Sequence, residues 1–169
     1  MTKHYSVTET AKLIRAALKE AFPETKFSVR SSSYSMGASI DVSWTDGPIS
    51  AQVDLIVKGF AGASFDGMQD LKSHHSSMLN GEKVSFGADY VHTSREVSKA
   101  KVAAIAALLE AKGRDHWLTI CVQAGHPFPT RAVQRHDNAQ DVARSILQHV
   151  ADAKFEGRKA SAVAERLAA

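Results

Sequence analysis

Asp66, Asp70 and His74 stand four residues apart, with His75 adjacent. On a helix that spacing would put two carboxylates and an imidazole on one face, a donor set suited to Zn²⁺ or Mn²⁺ or to acid–base work. The glycines around them (Gly59, Gly62, Gly67, Gly81 and Gly87) speak against a continuous helix, and metal sites usually need more ligands, so a hydrogen-bonded surface loop is the simpler reading. Cys121 with His116 or His126 suggests a thiol nucleophile. It sits between Ile120 and Val122, however, where cysteine behaves as an inert small hydrophobe. Ser31, Ser32, Ser33 and Ser35, beside Arg30 and Tyr34, offer hydroxyls, a guanidinium and a ring to phosphates or bases, although serines also serve turns for their own sake. Arg131, Arg135 and Arg144 add planar forks that donate two parallel hydrogen bonds to phosphate or carboxylate. Walker A, G-x-G-x-x-G, G-x-S-x-G and H-E-x-x-H patterns are all missing, which counts against the common nucleotide and hydrolase classes. No catalytic residue, metal or cofactor is assigned.

The elements that must position these groups follow from periodicity. Ser6-Val7-Thr8-Glu9 is a capping box, and Val7, Ala11, Ile14, Leu18 and Ala21 recur at helical spacing until Pro23, so a helix is expected over 7–22. Residues 26–33 read as a strand and 31–37 as a loop. Ala38, Ile40, Val42 and Trp44 then alternate with polar residues as a second strand, antiparallel to the first. Pro48 is placed to open a second helix, with Val53, Ile56, Val57 and Phe60 as its apolar stripe. The stretch 59–87 is a long loop or hides short elements. Val84, Phe86, Ala88 and Tyr90 alternate as one third strand. Residues 97–112 are apolar on almost every side, which predicts a helix that is mostly buried or packed against another helix, with a homodimer contact also open, and Gly113 caps it. Trp117–Val122 reads as a short buried strand, 125–129 as a loop, and Asp137 or Asn138 as the start of a last helix with Val142, Ile146 and Val150 inward. From Gly157 the chain is Ala-rich and charged, with helical potential. The expected class is α+β: a small antiparallel or mixed sheet, a hairpin plus one or two further strands, covered by helices and continued by a C-terminal helical extension.

Composition sets the frame. The 169 residues are 44% apolar and 23% charged, which excludes wholesale disorder, and no apolar run reaches the roughly 18 residues of a membrane span. A single cysteine and a first segment without the apolar core of a secretion signal lead us to expect a cytoplasmic protein. The net charge of +3 is unevenly placed: residues 1–95 carry ten basic and ten acidic side chains, whereas 96–169 carry eleven against eight.

Several strings in the first part go together. Tyr5–Lys12, Lys26–Tyr34, Ser39–Pro48, Ser64–Met68 and Ser85–Tyr90 resemble, in order and spacing, the large polyvalent protein-associated domain of the twenty-ninth type, over about residues 5–98. On that resemblance the chain divides into a 1–98 polyvalent-protein-associated α+β module and a 99–169 Ala/Arg-rich, mostly helical portion packed on the same core. The resemblance implies the setting of a phage or mobile genetic element; with the missing catalytic motifs and the arginine-biased second part, it leads us to expect a non-enzymatic accessory protein that binds a host protein complex or nucleic acid. Inhibition of host defence, of the anti-CRISPR or anti-restriction kind, is its most concrete form. It also singles out Phe65-Asp66-Gly67-Met68, so the binding candidates are Arg30, Ser32, Tyr34, Asp66, Met68, Arg131, Arg135 and Arg144. The alternatives are a sequence-independent DNA- or RNA-binding protein and, behind it, a small metal-dependent enzyme using Asp66, Asp70 and His74. A host defence or nucleic-acid-processing complex, DNA or RNA, and a second copy of the chain are the partners considered; a membrane is not.

Overall fold

The computed structural model describes residues 2–66, 71–79 and 81–150. Its architecture is α+β. In chain order the strands are β1 (Lys3–Tyr5), β2 (Phe27–Tyr34), β3 (Gly37–Thr45), β4 (Ala63–Asp66), β5 (Leu71–His74), β6 (Ser77–Leu79), β7 (Glu82–Phe86) and β8 (Tyr90–Glu96). The helices are α1 (Val7–Ala21), α2 (Ser50–Val57), α3 (Lys99–Lys112), α4 (Trp117–Gln123), α5 (Pro129–Arg135) and α6 (Ala139–His149). The described residues fall into two units, one of residues 2–44 and 50–94, the other of 45–49 and 95–150.

In the first unit the capping box forms as the sequence predicts. Ser6 Oγ accepts the Glu9 backbone N–H, and a Glu9 carboxylate oxygen accepts the Ser6 N–H at 2.8 Å. Behind it Ala11, Ile14, Ala17, Leu18 and Ala21 are buried along one stripe of α1. That stripe shares a core with Val29, Ile40, Val42 and Trp44 of the hairpin, with Val53, Ile56, Val57 and Phe60, and with Val84 and Phe86. β2 and β3 pair antiparallel from Phe27↔Trp44 to Tyr34↔Gly37. Three small sheets result: β2-β3-β8, β1-β7-β6 with β1 parallel to β7, and the β4-β5 pair.

Several expectations are corrected here. The loop expected from Ser31 is strand as far as Tyr34, because Ser31–Ser33 keep their ladder partners Ile40, Ser39 and Ala38. The helix placed at Pro48 begins at Ser50. The irregular stretch hides four short strands, β4 to β7. The single strand expected at 84–91 is two. At Gly87 the chain comes so close to another segment that a Cβ would lie 2.9 Å from the Tyr5 carbonyl oxygen and the Val7 nitrogen, and the Gly87 N–H donates to Tyr5 O at 2.7 Å. Asp89 then turns inward. Its carboxylate accepts the Ala38 N–H at 2.9 Å while its own N–H donates to Ala38 O at 2.8 Å, so the chain leaves one sheet and joins another.

The second unit has its own apolar cluster, built from Val102, Ala106 and Leu109 of α3, Trp117 and Cys121 of α4, Ala132 of α5, and Ala139, Val142, Ala143 and Ile146 of α6. The strand expected at Trp117–Val122 is helix α4. A short apolar run carries no period of its own; here Trp117 and Cys121, four apart, are the buried pair, while Leu118 and Val122 are exposed. Trp117 Nε1 donates to Leu109 O at 2.9 Å, which fixes α4 against the end of α3. Of the two readings of α3, packing against another helix holds: it buries one face, against α6, while Ala103, Ala104, Ala107 and Leu108 are exposed. Gly113 caps it as expected, with φ at 78° and its N–H donating to Leu109 O and Glu110 O. Pro129, read as the end of a loop, opens α5. Asn138 is the N-cap of α6, its side chain accepting the Asp141 N–H at 2.8 Å, and Val142 and Ile146 are buried. Val150 lies just past that helix, half-buried, and the segment from Gly157 is outside the described residues.

Candidate functional site

Two groups of the residues singled out from the sequence are brought together, one in each unit. In the first, Arg30, Ser32 and Tyr34 alternate along one exposed face of β2, at the edge of its sheet. Asp41 is the ladder partner of Arg30, Ser39 of Ser32 and Gly37 of Tyr34. This is a flat, exposed strip with a cation, hydroxyls and a half-exposed ring.

In the second unit Arg131 and Arg135 line a cleft of about 310 Å³, together with His126, Phe128, His136, Ser145, Gln148 and His149. The sequence folds this way because Pro129 starts α5 directly after Phe128. Phe128, Arg131 and Arg135 then stand at i, i+3 and i+7 on one face, with Ala132 between them buried in the core. Four residues of helix separate the two arginines by about 6 Å along the axis. Neither arginine forms an ion pair among the described residues. The acids nearest in sequence are engaged elsewhere: Asp137 with Arg114 at 3.5 Å, Asp141 with Arg144 at 3.0 Å. Arg144, a third candidate from the sequence, is therefore paired on α6 and does not line the cleft.

His126 organises the floor of this cleft. It is buried, and both ring nitrogens are used: the Phe128 N–H donates to Nδ1 at 3.0 Å, which leaves Nε2 to donate to Ser145 Oγ at 3.1 Å. Its ring meets that of His149 edge-on at 5.0 Å. Burial, reinforced by the neighbouring His149, pulls its pKa below the ordinary histidine value against the opposing bond with Ser145. Sequence reasoning considered His126 only as a partner for Cys121. The signal that would have found its role is the string Gly125-His126-Pro127-Phe128-Pro129 read as a helix entry, with the arginine spacing continuing from Phe128.

The other candidates separate. Asp66 and His74 lie at opposite ends of the β4–β5 ladder, where Asp66 pairs with Leu71 and His74 with Ala63. That is three ladder steps, about 10 Å, so the shared helical face considered from the sequence does not form. Asp70 and Met68 lie outside the described residues. His74 is exposed, its Nδ1 4.0 Å from the Asp89 carboxylate. Among the described residues no group of three or more His, Cys, Asp and Glu side chains could hold a metal ion. Cys121 is fully buried, and burial raises its thiol pKa, the reverse of what a nucleophile needs. A second, apolar groove of about 490 Å³ in the helical unit is lined by Ile105, Leu108, Ile120 and Ile146, with Lys112 and His116 among its polar lining.

The strings of the first unit converge in space. Tyr5 packs its ring on Phe86 at 5.9 Å, Gly87 bonds to Tyr5, and Asp89 clamps Ala38. Over residues 5–98 the chain matches the sequence model of the large polyvalent protein associated domain 29. It belongs to that family. Domains of this family are associated with the polyvalent proteins of phages and mobile elements. The family segment includes Arg30, Ser32, Tyr34 and Asp66, while the cleft of Arg131 and Arg135 lies beyond it. No curated protein and no solved structure matches the chain. Among the described residues no helix is long and apolar enough to cross a membrane.

Proposed function

We propose that this member of the large polyvalent protein associated domain 29 family is a non-enzymatic accessory protein of a phage or mobile genetic element. It acts by binding, and nucleic-acid backbone is the ligand class its cleft takes. The observation that carries this reading is the pair Arg131 and Arg135, one helical turn apart on a concave surface and without ion-pair partners among the described residues. Guanidinium groups so placed fit successive phosphates of one strand, and the contact is independent of sequence. Two further observations favour binding over turnover. Both nitrogens of the buried imidazole in the cleft are committed to holding structure, and the cysteine is buried with its thiol pKa raised. A protein that covers nucleic acid during entry into a host would shield it from defences that must read or cut it, and inhibition of host defence is the action we assign.

The test is binding of a labelled oligonucleotide as a function of salt. Each phosphate contact on a single strand contributes about 0.7 to the slope of log K against log salt. Replacing both arginines by alanine is expected to flatten the slope by about 1.4 and to weaken binding at low salt. Salt-independent binding, or an unchanged slope in the double variant, would reject the reading.

A host protein complex is the second reading, favoured by the exposed Leu108, Leu118 and Val122 and by the groove of Ile105, Leu108, Ile120 and Ile146. Lys112 and His116 among the lining of that groove suit an amphipathic host segment with an acidic flank. Capture of the same host protein with and without nuclease treatment, abolished by Leu108→Glu, supports this reading. Self-association abolished by that variant would assign the groove to a second copy.

A further inference from the structure

Phe128 is the anomaly of the second unit. A phenylalanine normally contributes its ring to a core, yet this one is 59% exposed. The backbone at this position is fixed by the surrounding structure. The Phe128 N–H donates to His126 Nδ1 at 3.0 Å, its carbonyl accepts the Ala132 N–H at 3.0 Å, and Pro127 and Pro129 restrict the backbone on either side. His126 is itself held by Ser145 on α6. A buried imidazole is thus spent on fixing the backbone that presents an aromatic ring to solvent, at the wall of a cleft whose other side chains, apart from Ala132, are cationic or polar.

We infer that the cleft reads single-stranded nucleic acid, one unstacked base lying on the Phe128 ring while Arg131 and Arg135 hold the adjacent phosphates. The inference rests on the nucleic-acid reading given above and names its substrate class. A ring recognises a base face only when that base is out of a duplex, whereas arginines contact phosphate in either form. The cleft, about 310 Å³, is of single-ligand size, which suits one unstacked base. Ring and guanidinium pair occupy one face of α5 in the order i, i+3, i+7, so a strand running along that face meets the base platform first and both phosphate sites after it. Stacking on an aromatic ring is sequence-tolerant, since every base presents a π-face.

The experiment compares binding of a labelled oligothymidylate of about 12 nucleotides with that of a duplex of the same length, at low salt, for the wild-type chain and three variants. Phe128→Leu keeps apolar bulk at an exposed position and removes the stacking face, Phe128→Trp keeps the face, and Arg131→Ala/Arg135→Ala removes the phosphate contacts. Phe128→Leu is expected to weaken single-strand binding roughly 5- to 150-fold, with little change for duplex. Phe128→Trp is expected to bind the single strand at least as well as wild type. Equal affinity of wild type for both forms, or undiminished single-strand binding by Phe128→Leu, overturns the single-strand assignment. If the double arginine variant still fails on both forms in that case, nucleic-acid binding itself stands. Absence of binding to either form by the wild-type chain overturns both.

Discussion

Replacing Asp46 probes how the second unit is fastened where its two chain segments meet. Its carboxylate accepts the Ser98 backbone N–H at 2.9 Å, and Lys101 Nζ lies 4.0 Å away. Ser98 is the N-cap of α3, and its own hydroxyl makes no capping bond, so Asp46 caps that helix from far along the chain. Burial alone would raise the carboxyl pKa, but the Ser98 N–H, with help from Lys101 and Arg95, outweighs it and holds the group below the usual aspartate value. A hydrogen bond to a charged group contributes about 1.5–3 kcal/mol, and a carboxylate at a helix N-terminus a further 0.3–1 or so. With 24% of the side chain still exposed, the lower ends of both ranges apply. Asp46→Asn, which keeps an acceptor and loses the charge, is expected to destabilise by about 1 kcal/mol and Asp46→Gly by about 2. Asp46→Ala should cost about 1 kcal/mol more than glycine, because φ is +59° here and a methyl side chain is strained there. Urea unfolding of the full chain followed by circular dichroism measures all four proteins. The folded pKa is depressed, so the stabilisation is complete above the unfolded carboxylate value near 3.9 and fades as pH falls through the folded one; wild type and Asp46→Asn must converge in acid. Equal stability of these two near neutral pH, or alanine more stable than glycine, would refute the reasoning.

Other contacts carry outcomes of their own. Gly62→Ala is expected to destabilise the first unit by about 3 kcal/mol or more, since a Cβ there would lie 2.2 Å from the Phe86 carbonyl oxygen, and chemical denaturation of that variant measures it. His126 has a folded pKa below its unfolded value near 6.5, so its contribution is fully present above that value and is lost as pH falls through the folded one. Thermal unfolding between about pH 8 and 5 should therefore show a smaller acid loss in His126→Gln than in wild type, and parallel slopes would contradict the assignment. Cys121, fully buried with a raised pKa, should resist an aromatic disulfide reagent in the native chain and react after denaturation; fast native labelling would show that the thiol is accessible.

What the residues disclosed in advance depended on whether a local signal was also the deciding one. The α1 cap and stripe, the antiparallel pairing of β2 with β3 and an α6 start at Asp137 or Asn138 were legible because capping chemistry and alternation act within a few residues. The helix at Trp117 was not, because a six-residue, mostly apolar run fits either period and the choice was made by Leu109 and the packing of Trp117 and Cys121. The break at Gly87 was equally invisible, since its cause is the carbonyl of Tyr5, a residue more than eighty positions away. Of the site, Arg131 and Arg135 were visible by type. Phe128 and His126 were hidden in what read as a proline loop, and the separation of Asp66 from His74 needed the β4–β5 ladder.

Arg95 also donates from its guanidinium to the carbonyls of Asp46, Gly47 and Leu147, so the five residues Thr45–Ile49 belong physically with the helices although they lie well inside the family segment. For heredity this acts as a seam. A recombination event that exchanged only the chain after residue 98 would deliver a new helical part onto an old loop, and the newcomer would function only if it could meet Asp46 at its first helix and receive Arg95 near its last. Lineages can thus swap the basic part freely in sequence but not in those two handshakes, and a chimera meant to transplant it should carry residues 45–49 and 95–98 with it.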